Sequence, residues 1–280
     1  MGEARIAANG VELAVEEFGS GERALVLVHG FTGFRQDFAP VIDALLPRAS
    51  RVVTLDLRGH GASTHTGDAA TYTLDVLAED LRAALGALGI ARCDLLGHSM
   101  GGMLVQRVAL AAPERVASLI LLSTSAEALA WIDEASLKLA GYVGATQGMA
   151  KLAEILRARA PEDPTRSEPD RRLERAWGGE RFWAWRNARV AATDPVAYQA
   201  LGLALKHATD FRGRLSAIAC PATAIVGALD TEFVAASPRL AAAIPGARHV
   251  VLPDAAHQPQ LEAPEAFVAA VAEHLARVRR

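Results

Sequence analysis

LLGHSMGG, residues 95–102, sets one serine between an apolar run and a glycine-rich restart. An apolar run stops at Gly97, a single hydroxyl stands at Ser99, and the chain restarts at Gly101 as a helix opening. CDLL precedes it and GMLVQRVALAA follows, so the context reads as strand, tight turn, helix. A serine in such a turn is held in a strained backbone at the C-terminal edge of a sheet. Glycines on either side, lacking Cβ, let strand and helix approach closely. The helix directs the positive end of its dipole at the same point. The pattern therefore exposes a nucleophile where negative charge can develop.

Reading outward, the chain alternates strands and helices. RIAANGVELAVEEFG (5–19) is two short strands around Asn9-Gly10, a favoured type I′ turn. ALVLVHG (24–30) is a continuous apolar run, as expected of a strand buried on both faces. A helical pattern follows near 38–46, then strand RVVTLDL (51–57). Thr73 is placed to cap a helix beginning at Leu74. After the Ser99 turn come helix 101–112 and strand VASLILLS (116–123). Such alternation predicts an α/β fold with a doubly wound, mostly parallel sheet.

The rhythm breaks over residues 126–208, which carry helical and loop patterns and no convincing strand. The charged, proline-containing segment 160–181 reads partly as a mobile loop. The rhythm resumes with ATAIVGALD (222–230), helix 237–244, strand RHVVLPD (248–254) and a last helix, 264–277. The expected organisation is a core of residues 1–125 and 209–280 with a helical insertion, 126–208, acting as a cap. All four tryptophans (Trp131, Trp177, Trp183 and Trp185) fall in that insertion, which suggests an apolar cover; packing of the insertion onto the sheet is the plainer account of any one of them.

A serine nucleophile needs a base, and the base needs an orienting carboxylate. Of eight histidines, His257 lies in the loop between the last strand and last helix, at the sheet edge of Ser99. His29 and His60 sit in glycine-rich loops and His98 in the turn itself; His65, His207, His249 and His274 read as surface residues. For the acid, Asp230 directly follows a strand at the same edge and is favoured; Asp254, three residues before His257, is the competitor. Two backbone N–H donors must face a developing oxyanion. Met100, after the nucleophile, offers one, and Phe31 in HGFTG (29–33) is best placed for the other.

The formal net charge is −3, with no basic excess, so nucleic acid is not an expected partner. Cys93 and Cys220 imply no disulfide framework and fit a reducing compartment. The N-terminus shows no signal-peptide core and no segment approaches the ~18 apolar residues of a membrane span, so a cytoplasmic protein, monomer or homodimer, is expected.

HGFTG, DLRGHGAS (56–63), GHSMGG, GALD (227–230) and AAHQPQLEAP (255–264) together resemble the α/β-hydrolase superfamily over nearly the whole chain. The resemblance implies a triad of Ser99, Asp230 and His257, an oxyanion hole, a cap after the sixth strand, and no cofactor or metal. One departure is Ala256, where glycine is common before the base. Epoxide hydrolases and haloalkane dehalogenases are similar but use aspartate at the nucleophile position, so Ser99 argues against both chemistries. The expected reaction is hydrolysis of a small, largely apolar carboxylic ester, with Phe34, Trp131, Trp183 and Arg186 near the substrate. Alternatives are a C–C bond hydrolase or lyase acting on an anionic ketone or dienol, with Arg186 or Arg189 as anion clamp, or a ligand receptor that keeps the triad.

Overall fold

The computed structural model describes residues 2–162 and 166–279. Eight strands form one sheet in the order β1-β2-β4-β3-β5-β6-β7-β8. They are β1 (Gly2–Ala8), β2 (Val11–Gly19), β3 (Leu25–Val28), β4 (Arg51–Leu55), β5 (Cys93–His98), β6 (Val116–Leu122), β7 (Ala222–Gly227) and β8 (Arg248–Leu252). β1, β2 and β4 pair antiparallel; every other neighbouring pair is parallel. The β1–β2 turn has positive φ at both Asn9 and Gly10, 47° and 77°, the geometry that a type I′ hairpin requires.

Strands β3, β5, β6 and β7 are buried along their whole length, which is why they read as unbroken apolar runs rather than alternating ones. Alternate residues feed two cores. Val26, Val28, Leu95, Leu119, Leu121 and Val226 face one side, packed with α2 (Leu74–Ala87) and α3 (Met100–Ala111). Leu25, Leu27, Leu96, Ile120, Leu122 and Ile225 face the other, against α1 (Ile42–Ala49) and α11 (Pro264–Val278). Thr73 caps α2, its hydroxyl accepting from Val76 N–H at 3.1 Å. His274 is not a surface residue: it is buried on α11 between Thr223 and Ser118, 2.8 and 2.9 Å away, and burial lowers its pKa to about 4.

Among the described residues, five α-helices stand between β6 and β7: α4 (Glu134–Gln147), α5 (Met149–Arg159), α6 (Glu168–Trp177), α7 (Gly179–Ala191) and α8 (Pro195–Lys206). The remaining helices are α9 (Ala236–Ala243) and the short α10 (Pro259–Glu262). Much of 160–181, read from sequence as partly a mobile loop, is helical; residues 163–165 lie outside the described part. Ser167 caps α6, its hydroxyl accepting from Asp170 N–H, and Arg166 bridges Asp170 and Glu174. Asp194 ties α8 to the core: it caps the helix at Val196 N–H and accepts from Gly67 N–H and the Tyr72 hydroxyl.

Candidate active site

The turn after β5 has the strain that its sequence implies. Ser99 sits at φ 51°, ψ −117°, a combination that costs a non-glycine residue on the order of 1–3 kcal/mol. Packing holds it there: Ser99 N–H donates to Leu122 O at 2.9 Å, and the Thr124 hydroxyl donates to Ser99 O at 2.6 Å. Gly101 must be glycine, because a Cβ would lie 2.4 Å from Val28 O and 2.5 Å from His29 O. α3 can therefore start hard against β3, with its first N–H groups beside Ser99. Among the described residues neither Met100 N–H nor Phe31 N–H donates to a protein acceptor, so both remain available to a ligand.

His29 fixes the loop that carries Phe31. Its Nδ1–H donates to Gly30 O at 2.8 Å and its Nε2 accepts Leu57 N–H at 3.0 Å, which defines a neutral tautomer. Burial, with His60 beside it, holds its pKa well below the usual imidazole value. His29 and His60 are thus structural groups; the His60 ring, also buried, donates to Arg58 O and has its pKa lowered to about 4.

His257 is presented by the loop between β8 and α10. Its Nδ1–H donates to Asp230 Oδ2 at 3.1 Å, leaving Nε2 as the open nitrogen. Burial alone lowers the imidazole pKa. The hydrogen bond to Asp230 and the Asp230 charge, with Glu232 and Glu262 further off, outweigh it and hold the ring above its ordinary value. Phe233 stacks on the ring at 5.0 Å with an 18° interplanar angle. The loop is joined to the serine turn by His98, whose Nε2–H donates to His257 O at 2.7 Å. Asp254 is exposed, and only its backbone carbonyl is engaged, by Arg172 at 2.6 Å; its side chain caps nothing among the described residues.

A cavity of about 480 Å³ is lined by Phe31 of the loop after β3 and by residues that stand between β6 and β7. Trp131, Leu137, Val143, Ile155 and Tyr198 supply much of its wall, and Ser99, Met100, Asp230 and His257 do not line it. Trp131, 55% exposed, also meets Phe233 edge-on at 6.4 Å. Phe34, Trp183 and Arg186 do not line this cavity. Phe34 is half-buried at the head of a 3-10 helix. Trp183 donates its Nε1–H to Glu174 at 2.7 Å, and Arg186 pairs with Asp170. Arg189 is buried and pairs with Asp37 at 2.9 Å. Among the described residues, Asp230, Glu232 and His257 are the grouping whose atoms could hold an ion, all within 4.8 Å of one another, but the nearest imidazole nitrogen is already engaged with Asp230.

Among curated proteins, the chain is 33% identical to the pimeloyl-[acyl-carrier protein] methyl ester esterase of Aeromonas hydrophila, over 92% of this chain and 97% of that protein. It is 28% identical to a putative 2-succinyl-6-hydroxy-2,4-cyclohexadiene-1-carboxylate synthase of Bacillus subtilis, over 96% and 97% of the two chains. Among solved structures it superposes on the enol-lactonase of Burkholderia xenovorans LB400 with a TM-score of 0.81 and 28% identity, covering 98% of this chain and 100% of that one. A thermophilic esterase of Thermogutta terrifontis gives 0.83 and 27%, with both chains fully covered. A family model described as alpha/beta hydrolase fold matches residues 23–264, and with the sheet order and the strained serine turn on β5 this establishes that the chain belongs to the α/β-hydrolase family.

Proposed function

We propose that this chain is a serine hydrolase that cleaves a small, largely apolar carboxylic ester through an acyl-enzyme. The observation that carries the reading is the Asp230–His257 hydrogen bond, on a loop that His98 ties to the turn of the strained Ser99. Ser99 Oγ attacks the ester carbonyl carbon while His257 Nε2 takes the hydroxyl proton. Asp230 holds the proton on Nδ1 and stabilises the imidazolium that forms. The N–H groups of Phe31 and Met100 receive the oxyanion, whose charge also meets the N-terminus of α3. Collapse of the tetrahedral species expels the alkoxide, which takes the proton from His257. Water, activated by the same imidazole, then releases the acid and restores Ser99.

Residues 126–208 act in this scheme as a cap over the acyl group, and the cavity's mainly apolar wall supports an apolar acyl chain. Its esterase relatives support ester hydrolysis in general terms. Arg186 and Arg189 each already carry an acidic partner, which weighs against their use as a clamp for an anionic ketone or dienol. The test is a panel of chromogenic esters of increasing acyl length, run beside a ring-cleavage dienol. Turnover of the esters, with a serine-directed phosphonate adding one mass increment at Ser99, is the expected outcome. Turnover of the dienol alone overturns the ester reading.

A further inference from the structure

The base-bearing loop is held by a side chain that the triad does not include. Glu262, at the end of α10, turns its carboxylate back on the loop: Oε2 accepts Ala256 N–H at 2.6 Å and Gln258 N–H at 3.3 Å. These are the N–H groups of the residues on either side of His257. The carbonyl of His257 itself is taken by His98 at 2.7 Å, and the Gln258 side chain by Arg189 at 3.4 Å. The backbone carrying the imidazole is therefore held from α10 by Glu262 and from β5 by His98, before any contact of the ring is considered.

Resting on the serine-hydrolase reading, we propose that Glu262 is a positioning residue for the base: it clamps the N–H groups of the residues flanking His257 and adds a negative charge near the imidazole. The physical case has two parts. Loops at a sheet edge have few ladder hydrogen bonds of their own, so a carboxylate accepting two N–H groups is among the stronger restraints available to one. A base must also be held to within a fraction of an ångström, because a displacement of about 1 Å costs on the order of 10²-fold in rate. A neutral acceptor could hold the loop in place, and only a charged one also favours the imidazolium as it forms.

The charged and titratable groups around the pair define the test. His257 faces Asp230 and Glu232 from the loop after β7, His98 from β5 and Glu262 from α10. Glu262 feels Asp170 on α6 and His257, while Arg172 on α6 donates to the Glu262 carbonyl at 3.3 Å. Burial raises the Glu262 pKa, against the pull of the two peptide N–H groups and His257.

Kinetics of Glu262→Ala and Glu262→Gln across pH, with the phosphonate labelling rate at Ser99, test the clamp. Glu262→Ala should lose about 10²-fold in kcat and in labelling rate, with KM changed only a few-fold. Glu262→Gln keeps an acceptor and should recover most of that loss. The acid limb of its kcat/KM profile should move to lower pH, because removing a negative charge makes His257 easier to deprotonate. Labelling and turnover at the unaltered rate in Glu262→Ala, or a Glu262→Gln profile with an unmoved acid limb, overturn the clamp alone. No labelling of Ser99 in the unaltered protein overturns the hydrolase reading and the clamp with it. If the alanine variant fails to fold, the glutamine variant's pH profile still decides.

Discussion

Arg189 of α7 and Asp37 of the core form a buried ion pair, 2.9 Å between Nη2 and Oδ2, with the guanidinium also 4.7 Å above the Trp185 ring. This pair fastens the helical insertion to the sheet domain a few residues from the Phe31 loop. It is also a liability, because burial pushes the Asp37 carboxyl up to about 6 even against the pull of Arg189. Removing the cation strands a carboxylate in the interior. Arg189→Ala should therefore lose about 3–5 kcal/mol at pH 8. The loss should be smaller at pH 5. There the folded-state Asp37 of the variant, its pKa higher still without Arg189, takes up a proton, while the unfolded chain titrates near 3.9. Urea melts at the two pH values measure this, and an equal loss at both would refute the account.

The nucleophile is tested by Ser99→Ala. Turnover on the best ester should fall by on the order of 10⁴-fold or more, leaving only what binding and the oxyanion N–H groups supply. A variant retaining even a tenth of the parent turnover would show that Ser99 is not the attacking group.

Asp230→Asn and Asp254→Asn separate the two candidate acids. The first should cost on the order of 10⁴-fold in turnover with little change in melting temperature, because the ring would be held in the wrong tautomer. The second should be neutral to within about 0.5 kcal/mol, since the Asp254 carboxylate holds no backbone group among the described residues. Collapse of activity in Asp254→Asn would reverse the assignment.

The pH dependence follows from the raised pKa of His257. The base must be neutral to take the serine proton, so kcat/KM should fall on acidification with a midpoint above the ~6.5 of free imidazole. Asp230→Asn removes the charge that raises it and should shift the midpoint of the residual activity downward. A wild-type midpoint well below pH 6 would contradict the site electrostatics.

Trp131→Ala tests the cavity wall. The indole is only half-covered, so its loss should weaken binding of a bulky apolar ester by about 1 kcal/mol, a rise of about five-fold in KM, with short acyl esters little affected. Equal effects on acetyl and longer acyl esters would remove Trp131 from the acyl site.

What the sequence made legible follows physical lines. The central strands were readable because burial on both faces demands unbroken apolar runs, and the Ser99 turn because Gly97 and Gly101 answer a local steric demand. Asp230 could be favoured from its place at a strand end. Helix α6 was hidden because its face is held by charge: Arg166, Asp170 and Glu174 satisfy one another while Leu173 is its main buried apolar anchor. The burial of His274 has a local signal, since Phe267, Val271 and Leu275 stand on the same helical face. The placements of Trp183 and Arg186 depend on how helices pack against helices, and no local pattern encodes that. Glu262 was out of reach for the same kind of reason: its reach back to the peptides around His257 exists only once α10 has formed.

Phe31 belongs to two surfaces at once. Its peptide N–H is an oxyanion donor of the proposed mechanism, while its ring forms part of the cavity wall and meets Tyr198 of α8 at 5.1 Å. In the proposed mechanism, an acyl group that pushes on the ring also moves the donor that must receive the oxyanion. Discrimination between acyl chains would then be expressed at the barrier rather than at the encounter. Esters that bind with similar strength would turn over at different rates, and the chain length preferred in catalysis need not be the one held most tightly.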